Sequence, residues 1–229
     1  MRNPRVKDAF SQKKDGLRRA FEANHVNFPP GGIFIRILKR EAILELWVAD
    51  SASGPYRPIT AYKICASSGD LGPKRREGDG QVPEGFYYVD RFNPASRFHL
   101  SLGLNYPNTS DRILGVKNSF GGDIFIHGKC VTIGCIPIED EPIKALYAVA
   151  ILAHANGQTR IPVHIFPLRM NEDGMRVLRA SHGGNPGVLS FWEDLRIGYE
   201  YFEQHRTLPQ VLVNGITGRY DFKKEGGRP

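Results

Sequence analysis

Apolar and polar positions follow two different rhythms along the chain, and each rhythm predicts one kind of element. Residues 1–25 place apolar side chains at roughly helical spacing among charged ones, which predicts an amphipathic helix. Two apolar, β-branched runs at 33–38 and 42–48, joined by a short charged turn, predict a hairpin. Further extended segments are predicted at 59–66, 86–89, 98–104, 123–127, 162–167 and 210–214, and further helices at 141–156, 171–179 and 191–205.

Two long stretches interrupt this pattern. Residues 67–82 and 105–122 show no periodicity, and the first is rich in glycine and in charged side chains. Loops of this length inside a compact domain tend to be functional or mobile.

Composition limits the classes of function. A chain of 229 residues with 41% apolar residues can bury a full core without help from disulfides or metal, so we expect one main domain. The formal net charge of +7 favours an anionic partner. No nucleic-acid recognition motif accompanies the basic residues, and no apolar stretch approaches the roughly 18 residues of a membrane-spanning helix. We therefore expect neither a nucleic-acid partner nor an integral membrane segment.

Residues 123–140 are the part of the chain best suited to chemistry. A predicted strand delivers His127 into a glycine-containing loop, and Cys135 follows eight residues later. A thiol–imidazole pair needs this arrangement, because the imidazole holds the thiolate and later gives a proton to a leaving amine. Gly134 would let the backbone turn so that main-chain N–H groups, including that of Cys135, face an oxyanion.

Two other interpretations of the cysteines stay open at this point. The three cysteines, Cys65, Cys130 and Cys135, are too few for a disulfide scaffold, and their odd number leaves at least one thiol free within the chain. A buried free cysteine often behaves as a small apolar side chain. A zinc site of His127, Cys130 and Cys135 is also conceivable, although a structural zinc site needs a fourth ligand and the usual Cys-x-x-Cys pair is absent.

The order His127-Gly128, then Gly134-Cys135, after a strand and before a helix, resembles the histidine–glycine and glycine–cysteine motif of the YkuD-like L,D-transpeptidase family. The chain is most similar to the YafK-like branch, in which these two elements are close together. Residues 82–87, 99–108 and 191–203 also look like that branch, so the resemblance covers roughly residues 33–215.

The resemblance implies a fold and a division of the chain. The fold would be α+β and mainly β: a YkuD-like β-sandwich or barrel with a helix after the nucleophile. An N-terminal helical extension would occupy residues 1–30, the catalytic domain residues 31–170, and a C-terminal helical extension packed on it residues 171–229.

The resemblance also implies a chemistry. Cys135 would attack a stem-peptide carbonyl beside diaminopimelate and form a thioester, with His127 as the base and without a cofactor or a metal. Gly134 and the Cys135 amide would form the oxyanion site, and Gly128 would shape the loop between the two elements.

Weaker candidates accompany this pair. His99 would line the cleft from the polar face of its strand, although a structural histidine is an equal alternative. Asn105 and Tyr106 are substrate-binding candidates of the same kind, and we expect a structural role for Asp123.

The chain departs from the family pattern after the loop. Residues 132–137 are Thr-Ile-Gly-Cys-Ile-Pro where the family has Ser-His-Gly-Cys-x-Arg, so the second histidine and the arginine are absent. This departure argues against ordinary 3-3 cross-linking. The YafK-like branch is associated with hydrolysis that releases protein attached to peptidoglycan, and related folds trim stem peptides as L,D-carboxypeptidases. Cys130 is either a bystander or the partner of Cys135 in a regulatory disulfide.

A non-catalytic wall-binding module of the same fold is the alternative function. In either case the resemblance implies peptidoglycan stem peptides, and wall-attached protein, as partners. It also implies a periplasmic or envelope-associated protein. Residues 1–25 carry no secretory signal, so either the protein is cytosolic or a signal has been removed. The resemblance implies the second case, with a signal peptide or lipid anchor encoded upstream of residue 1.

Overall fold

The computed structural model describes residues 3–223. It confirms the α+β class, with 33% of residues in helices and 23% in strands. Residues 1–2 and 224–229 of the predicted terminal extensions lie outside the described residues. The helices are α1 (Pro4–Ala23), α2 (Thr109–Leu114), α3 (Asp140–Ala155), α4 (Glu172–His182) and α5 (Pro186–His205). The strands are β1 (Gly32–Leu38), β2 (Ile43–Ala49), β3 (Arg57–Lys63), β4 (Gly85–Asn93), β5 (Ser101–Leu104), β6 (Phe125–His127), β7 (Ile136–Pro137), β8 (Ile161–Phe166), β9 (Val211–Val213) and β10 (Tyr220–Phe222).

Eight strands form one curled sheet in the order β3-β2-β1-β8-β4-β5-β6-β7, and β9 pairs with β10 in a separate ribbon. The predicted hairpin is present, because β1 pairs antiparallel with β2 along its whole length. Two neighbouring pairs, β1 with β8 and β6 with β7, are parallel. The second parallel pair sets β6, which ends in His127, beside β7, which directly follows Cys135.

Both faces of the central strand β1 are buried, because helices cover the sheet on each side. Ile33, Ile35 and Ile37 belong to the core shared with α1 and α3. Phe34 and Arg36 face the opposite way, toward α5. A continuous apolar run, rather than strict alternation, is what a strand buried on both faces requires. None of the helices within residues 3–223 is both long and apolar enough to cross a membrane.

The N-terminal helix α1 begins at a well-defined cap. The side chain of Asn3 accepts the N–H of Arg5, and Pro4 occupies the first turn, where a missing N–H costs nothing. The guanidinium of Arg5 also donates to the main-chain oxygens of Ser96 and His99, each at 2.8 Å. The helix is therefore tied to the segment that leads into β5.

The second predicted loop, residues 105–122, contains the short helix α2. Asn108 caps it: its side chain accepts the N–H of Asp111, and the Asp111 carboxylate accepts the N–H of Asn108. The pattern Asn-x-x-Asp is a capping box, and it could have indicated this helix.

Two predicted strands are shorter than expected, for the same backbone reason. The strand predicted from residue 98 begins at Ser101, because His99 has a φ of +73°. The strand predicted from Asp123 begins at Phe125, because Asp123 has a φ of +54°. A positive φ at a residue other than glycine interrupts an extended run.

The first predicted loop, residues 67–82, has no helix or strand, yet its charges hold it in place. The Asp79 carboxylate accepts the main-chain N–H groups of Arg75, Arg76 and Gln81 at 2.9–3.1 Å. It also accepts the ammonium of Lys74 at 2.5 Å, and Lys74 is only 6% exposed. The loop is thus ordered by an acid–base pair at its centre.

The curled sheet brings its two edge strands together. The N–H of Cys65, just after β3, donates to the carbonyl of Pro137 in β7 at 3.0 Å, and a disulfide joins Cys65 to Cys130. We call this line of contact the seam. Both predictions for Cys130 are wrong: it is neither a bystander nor the partner of Cys135, which keeps a free thiol.

Candidate active site

Cys135 lies directly before β7, in the loop that follows β6. The preceding Gly134 has a φ of +93°, so the turn into β7 requires glycine. The Cys135 sulfur is half-buried and lies 3.5 Å from the main-chain oxygen of Asp123. The local backbone therefore presents the thiol at the end of a strand rather than within the core.

His127 is the last residue of β6 and lies beside β7. The parallel register pairs His127 with Pro137. Cys135 immediately precedes the residue of β7 that pairs with Ile126, so the thiol and the imidazole lie on neighbouring segments of the sheet. Within residues 3–223 no hydrogen bond joins the Cys135 sulfur to the His127 ring.

Two contacts fix the imidazole of His127. Its Nδ1 lies 2.6 Å from the main-chain oxygen of Gly128, and its ring stacks on Phe98 with centroids 4.6 Å apart. A carbonyl oxygen can only accept, so Nδ1 carries the hydrogen and Nε2 of the neutral ring keeps its lone pair. Nε2 is therefore a proton acceptor, as a general base requires.

Both groups are neutral near pH 7. Burial lowers the pKa of His127 below its ordinary value, and the hydrogen bond to Gly128 opposes this only in part. Burial raises the pKa of the Cys135 thiol, although the N–H of Phe125 and the ammonium of Lys74 pull that pKa down. At rest the two groups are a thiol and a neutral imidazole rather than a thiolate and an imidazolium.

The main-chain N–H groups around the thiol already have acceptors. The N–H of Gly134 donates to the Ser68 hydroxyl at 2.7 Å, and the N–H of Cys135 donates to the Thr132 hydroxyl at 2.8 Å. The Thr132 hydroxyl also donates to the carbonyl of Cys135 at 2.8 Å. An oxyanion could accept these two N–H groups only by replacing the two hydroxyls as their acceptors.

Gly128 has a different part in the loop. Its N–H donates to the main-chain oxygen of Phe98 at 3.0 Å, and a Cβ at this position would lie 2.5 Å from the carboxylate of Asp140. Glycine at 128 thus allows the backbone to approach helix α3 closely. Its N–H points the other way, toward the segment just before β5.

A cavity of about 260 Å³, which we call the thiol cavity, opens beside Cys135. Apolar side chains form much of its wall, and three charged residues from two segments, Lys39, Arg40 and Asp70, lie on it as well. The apolar wall is formed by Ile37, Ile64, Leu71, Val82 and Ile136.

A second and more open groove, of about 760 Å³, borders Asp123, whose carbonyl contacts the thiol. The Asp123 carboxylate is exposed and pairs with Arg91 at 3.2 Å. Glu77 and Asp90 also line this groove, which is mainly polar. A substrate chain could therefore extend from the thiol in two directions, into an apolar-walled cavity and along a polar groove.

The weaker predicted residues do not line the thiol cavity. Tyr106 lines the polar groove and donates its hydroxyl to Phe120 O at 3.0 Å. The side-chain oxygen of Asn105 accepts the N–H of Tyr88 at 2.8 Å, which links two strands. His99 is half-buried, and its Nε2 has no hydrogen-bond partner among residues 3–223.

Sequence reasoning missed the residues that loop 67–82 contributes to the site. Ser68 accepts the Gly134 N–H, the carbonyl of Gln81 lies 3.1 Å from where a Gly134 Cβ would be, and Lys74 lowers the Cys135 pKa. The length and charge of the loop predicted a functional segment. Which of its residues approach the thiol depends on the curling of the sheet, which no local pattern encodes.

A zinc site of His127, Cys130 and Cys135 does not match the structure, because Cys130 is bonded to Cys65. The sulfurs of Cys65 and Cys130 do lie near a Glu139 carboxylate oxygen. Since the two sulfurs share a disulfide, they are not thiolates and offer no metal-binding charge.

The sheet, the two motif elements and the helix after the thiol define a class of cell-wall enzyme fold. The family model of the L,D-transpeptidase catalytic domain (YkuD) matches residues 33–165. The chain belongs to this family, as the motif predicted, and the family acts on peptidoglycan.

Within the family, the chain is similar to YafK of Escherichia coli (strain K12). The two are 38% identical over 194 residues, which cover 84% of this chain and 74% of YafK. The same values hold for YafK of Escherichia coli O157:H7. The predicted similarity to the YafK-like branch is confirmed.

Solved structures to which the chain is similar include the helical cell shape determining protein Pgp2 from Campylobacter jejuni. It is 18% identical with a TM-score of 0.48, and the match covers 86% of this chain and 79% of that one. A point mutant of Pgp2 matches at 22% identity and a TM-score of 0.46, over 76% of this chain and 62% of that one. The chain thus spans less than two thirds of the mutant chain.

Proposed function

We propose that this protein is a cysteine enzyme that cleaves peptidoglycan stem peptides at diaminopimelate through a thioester on Cys135. The observation that carries the proposal is a free, half-buried thiol directly before β7, next to the strand that ends in a histidine whose Nε2 is held as an acceptor. Family membership supplies the substrate class.

The first step is a proton transfer. Because thiol and imidazole are both neutral at rest, His127 Nε2 takes the Cys135 proton as the sulfur attacks the carbonyl carbon. The imidazolium then gives that proton to the leaving amine, and the acyl group stays on sulfur as a thioester. A second nucleophile, water or an amine, attacks the thioester with His127 again as base, and the thiol is restored.

The oxyanion of each tetrahedral intermediate needs donors. The N–H groups of Gly134 and Cys135 are the proposed donors, as the sequence motif implied. Both now donate to hydroxyls, of Ser68 and Thr132. The negative oxygen is a stronger acceptor than a hydroxyl, so substrate binding would exchange one acceptor for the other.

Hydrolysis fits this site better than transfer to a second stem. Residues 132–137 lack the second histidine and the arginine of the family pattern. Water as the acceptor would make the protein an amidase that releases attached protein, or an L,D-carboxypeptidase that trims stems. An amine as the acceptor would make it an L,D-transpeptidase.

A periplasmic or envelope-associated location accords with the chemistry. The Cys65–Cys130 disulfide is a bond that persists in oxidising compartments and is rare in the cytosol. The proposed substrate lies in the same place.

Mass spectrometry of products tests the proposal. Wild type and Cys135→Ala are incubated with purified peptidoglycan and with defined tetrapeptide muropeptides. Tripeptides or released protein remnants that depend on Cys135 would establish hydrolysis, and new 3-3 dimers would establish transpeptidation. The proposal fails if no product on any substrate depends on Cys135.

The second candidate function is a non-catalytic wall-binding module. The observation that favours it is the occupation of both proposed oxyanion donors by hydroxyls. A carbapenem separates the two functions, since a reactive Cys135 would be acylated stoichiometrically, whereas a binding module would leave the thiol unmodified.

A further inference from the structure

Two cations approach the thiol cavity from the β1–β2 turn, and only one of them is available to a ligand. The ammonium of Lys39 donates to the Glu84 carboxylate at 2.9 Å and to two main-chain oxygens, so its three N–H groups are all used. The neighbouring Arg40 is exposed, and within residues 3–223 its guanidinium has neither an ion pair nor a hydrogen bond. Its main-chain N–H donates to Pro167 O at 2.9 Å, which fixes the turn.

The acidic group on the same cavity comes from the other segment. Asp70 lies in loop 67–82, and its main-chain N–H donates to the side-chain oxygen of Gln81 at 3.1 Å. Its carboxylate is exposed, and no cation in the part of the chain described lies within the 4.0 Å of an ion pair. The cavity therefore presents one unpaired positive and one unpaired negative charge from two anchored segments.

The size and walls of the cavity limit what could bind between these charges. Its volume of about 260 Å³ is below the roughly 300 Å³ at which whole small-molecule sites begin. It suits one end of a larger substrate. Ile37, Ile64 and Val82 give it an apolar wall against which a short hydrocarbon chain can pack.

We propose that the thiol cavity binds the free amino-acid end of a diaminopimelate side chain, with Arg40 on its carboxylate and Asp70 on its ammonium. The inference rests on the proposed function, because it places the neighbouring carbonyl of the same residue at Cys135. Three methylene groups join the two ends of diaminopimelate, and they would lie along the apolar wall. Arg40 also supplies a guanidinium near the nucleophile, which residues 132–137 lack.

The proposal predicts a charge-specific pattern of binding. A stem with lysine in place of diaminopimelate keeps the ammonium but lacks the carboxylate. Arg40→Gln should therefore weaken binding of the diaminopimelate stem about fivefold to tenfold and change binding of the lysine stem little. Asp70→Asn should weaken binding of both stems by similar factors.

The binding experiment uses calorimetry with the two tetrapeptide stems on Cys135→Ala, which cannot turn them over. Each charge variant is combined with Cys135→Ala. Arg19→Gln and Asp15→Asn are matched controls, because both residues are exposed on α1 and away from the cavity. The proposal is overturned if Arg40→Gln weakens both stems equally, if it weakens neither, or if Cys135→Ala binds neither stem.

A turnover experiment separates this inference from the proposed function. Cys135-dependent cleavage of both stems, with no effect of Arg40→Gln on the KM for the diaminopimelate stem, would overturn the inference and leave the function standing. If the stems bind with the expected specificity but no cleavage depends on Cys135, the inference stands and the proposed function is overturned. The expected result is a higher KM for the diaminopimelate stem in Arg40→Gln, with kcat nearly unchanged.

Discussion

Cys135 and His127 carry no charge at neutral pH, and this distinguishes them from a preformed thiolate–imidazolium pair. Burial raises the pKa of Cys135 and lowers that of His127. The rate of Cys135 alkylation by iodoacetamide should therefore keep rising with pH beyond the range of an ordinary cysteine, because only the thiolate reacts. Mass spectrometry of the modified peptide from pH 5 to 10 measures this rate. A plateau below pH 7 would contradict a neutral resting pair.

Thr132 provides a second prediction for a single residue. Its hydroxyl bridges the N–H and the carbonyl of Cys135. Thr132→Val keeps the shape but removes both hydrogen bonds, so the loop should hold the sulfur less well. We expect carbapenem acylation of Cys135 to slow about tenfold, corresponding to one or two hydrogen bonds.

Thr132→Ser is the matched control, since it keeps the hydroxyl and should stay close to the wild-type rate. A Thr132→Val rate above that of wild type would instead mean that the hydroxyl competes with the oxyanion for the Cys135 N–H.

Single residues were predictable where a short motif carries them. His127 and Cys135 were singled out by their spacing, their flanking glycines and the family motif they resemble, and their catalytic roles stay a prediction. The partner of Cys130 was not found, because the sequence distance between two cysteines does not tell which of them meet. Arg40 was not singled out either, since its position matters only once the β1–β2 turn lies against loop 67–82.

At the scale of elements, helix α2 contains a buried aspartate, Asp111, whose pKa lies above its ordinary value. Burial raises the pKa of Asp111 to about 6, and hydrogen bonds and Arg75 oppose this shift only partly. A folded-state pKa above the unfolded value contributes stability below about pH 4, and this stability is lost as the pH rises through about 6. The free energy of unfolding of wild type relative to Asp111→Asn should thus fall by about 3 kcal/mol from pH 4 to pH 7.

Urea unfolding of both proteins at several pH values measures this difference. If the free energy of unfolding of wild type relative to Asp111→Asn instead rises with pH, then Arg75, 3.6 Å away, stabilises the carboxylate more than burial destabilises it.

Long elements were predicted well, and short ones poorly. Helices α1, α3 and α5 and the β1–β2 hairpin have enough residues for their periodicity to be clear. Helix α2 has 6 residues and strand β10 has 3, too few for a clear periodicity. Their formation depends on caps and on tertiary contacts instead. The late starts of β5 and β6, after His99 and Asp123, depend on positive φ values, which these residue types adopt only in certain contexts.

At the scale of the whole molecule, the resemblance gave the fold class, and the structure adds how the sheet is covered. Helices α1 and α3 lie on one face and α5 on the other, so the predicted terminal extensions complete the core of the sheet. The domain boundaries at residues 30 and 170 stay a prediction. The curling that joins the two edges of the sheet arises from pairings far apart in sequence, which no window of residues can predict.

The disulfide across the seam should contribute strongly to stability. It closes a loop of 65 residues, and a loop of that length corresponds to about 4 kcal/mol of lost chain entropy in the unfolded state. Replacing both Cys65 and Cys130 by serine should lower the free energy of unfolding by up to about that amount, as measured by urea denaturation. Cys135→Ser, which leaves the disulfide intact, is the control, and an unchanged midpoint for wild type under reducing conditions would contradict the prediction.

The seam also conceals strand edges. Strands β3 and β7 are the two ends of the sheet, and a sheet whose ends come apart offers unpaired N–H and C=O groups to any other chain. A newly made chain that has not yet joined Cys65 to Cys130 would expose both ends at once. Failed oxidation would then appear first as aggregation of new chains by strand pairing, before any loss of the proposed activity in the molecules that do fold.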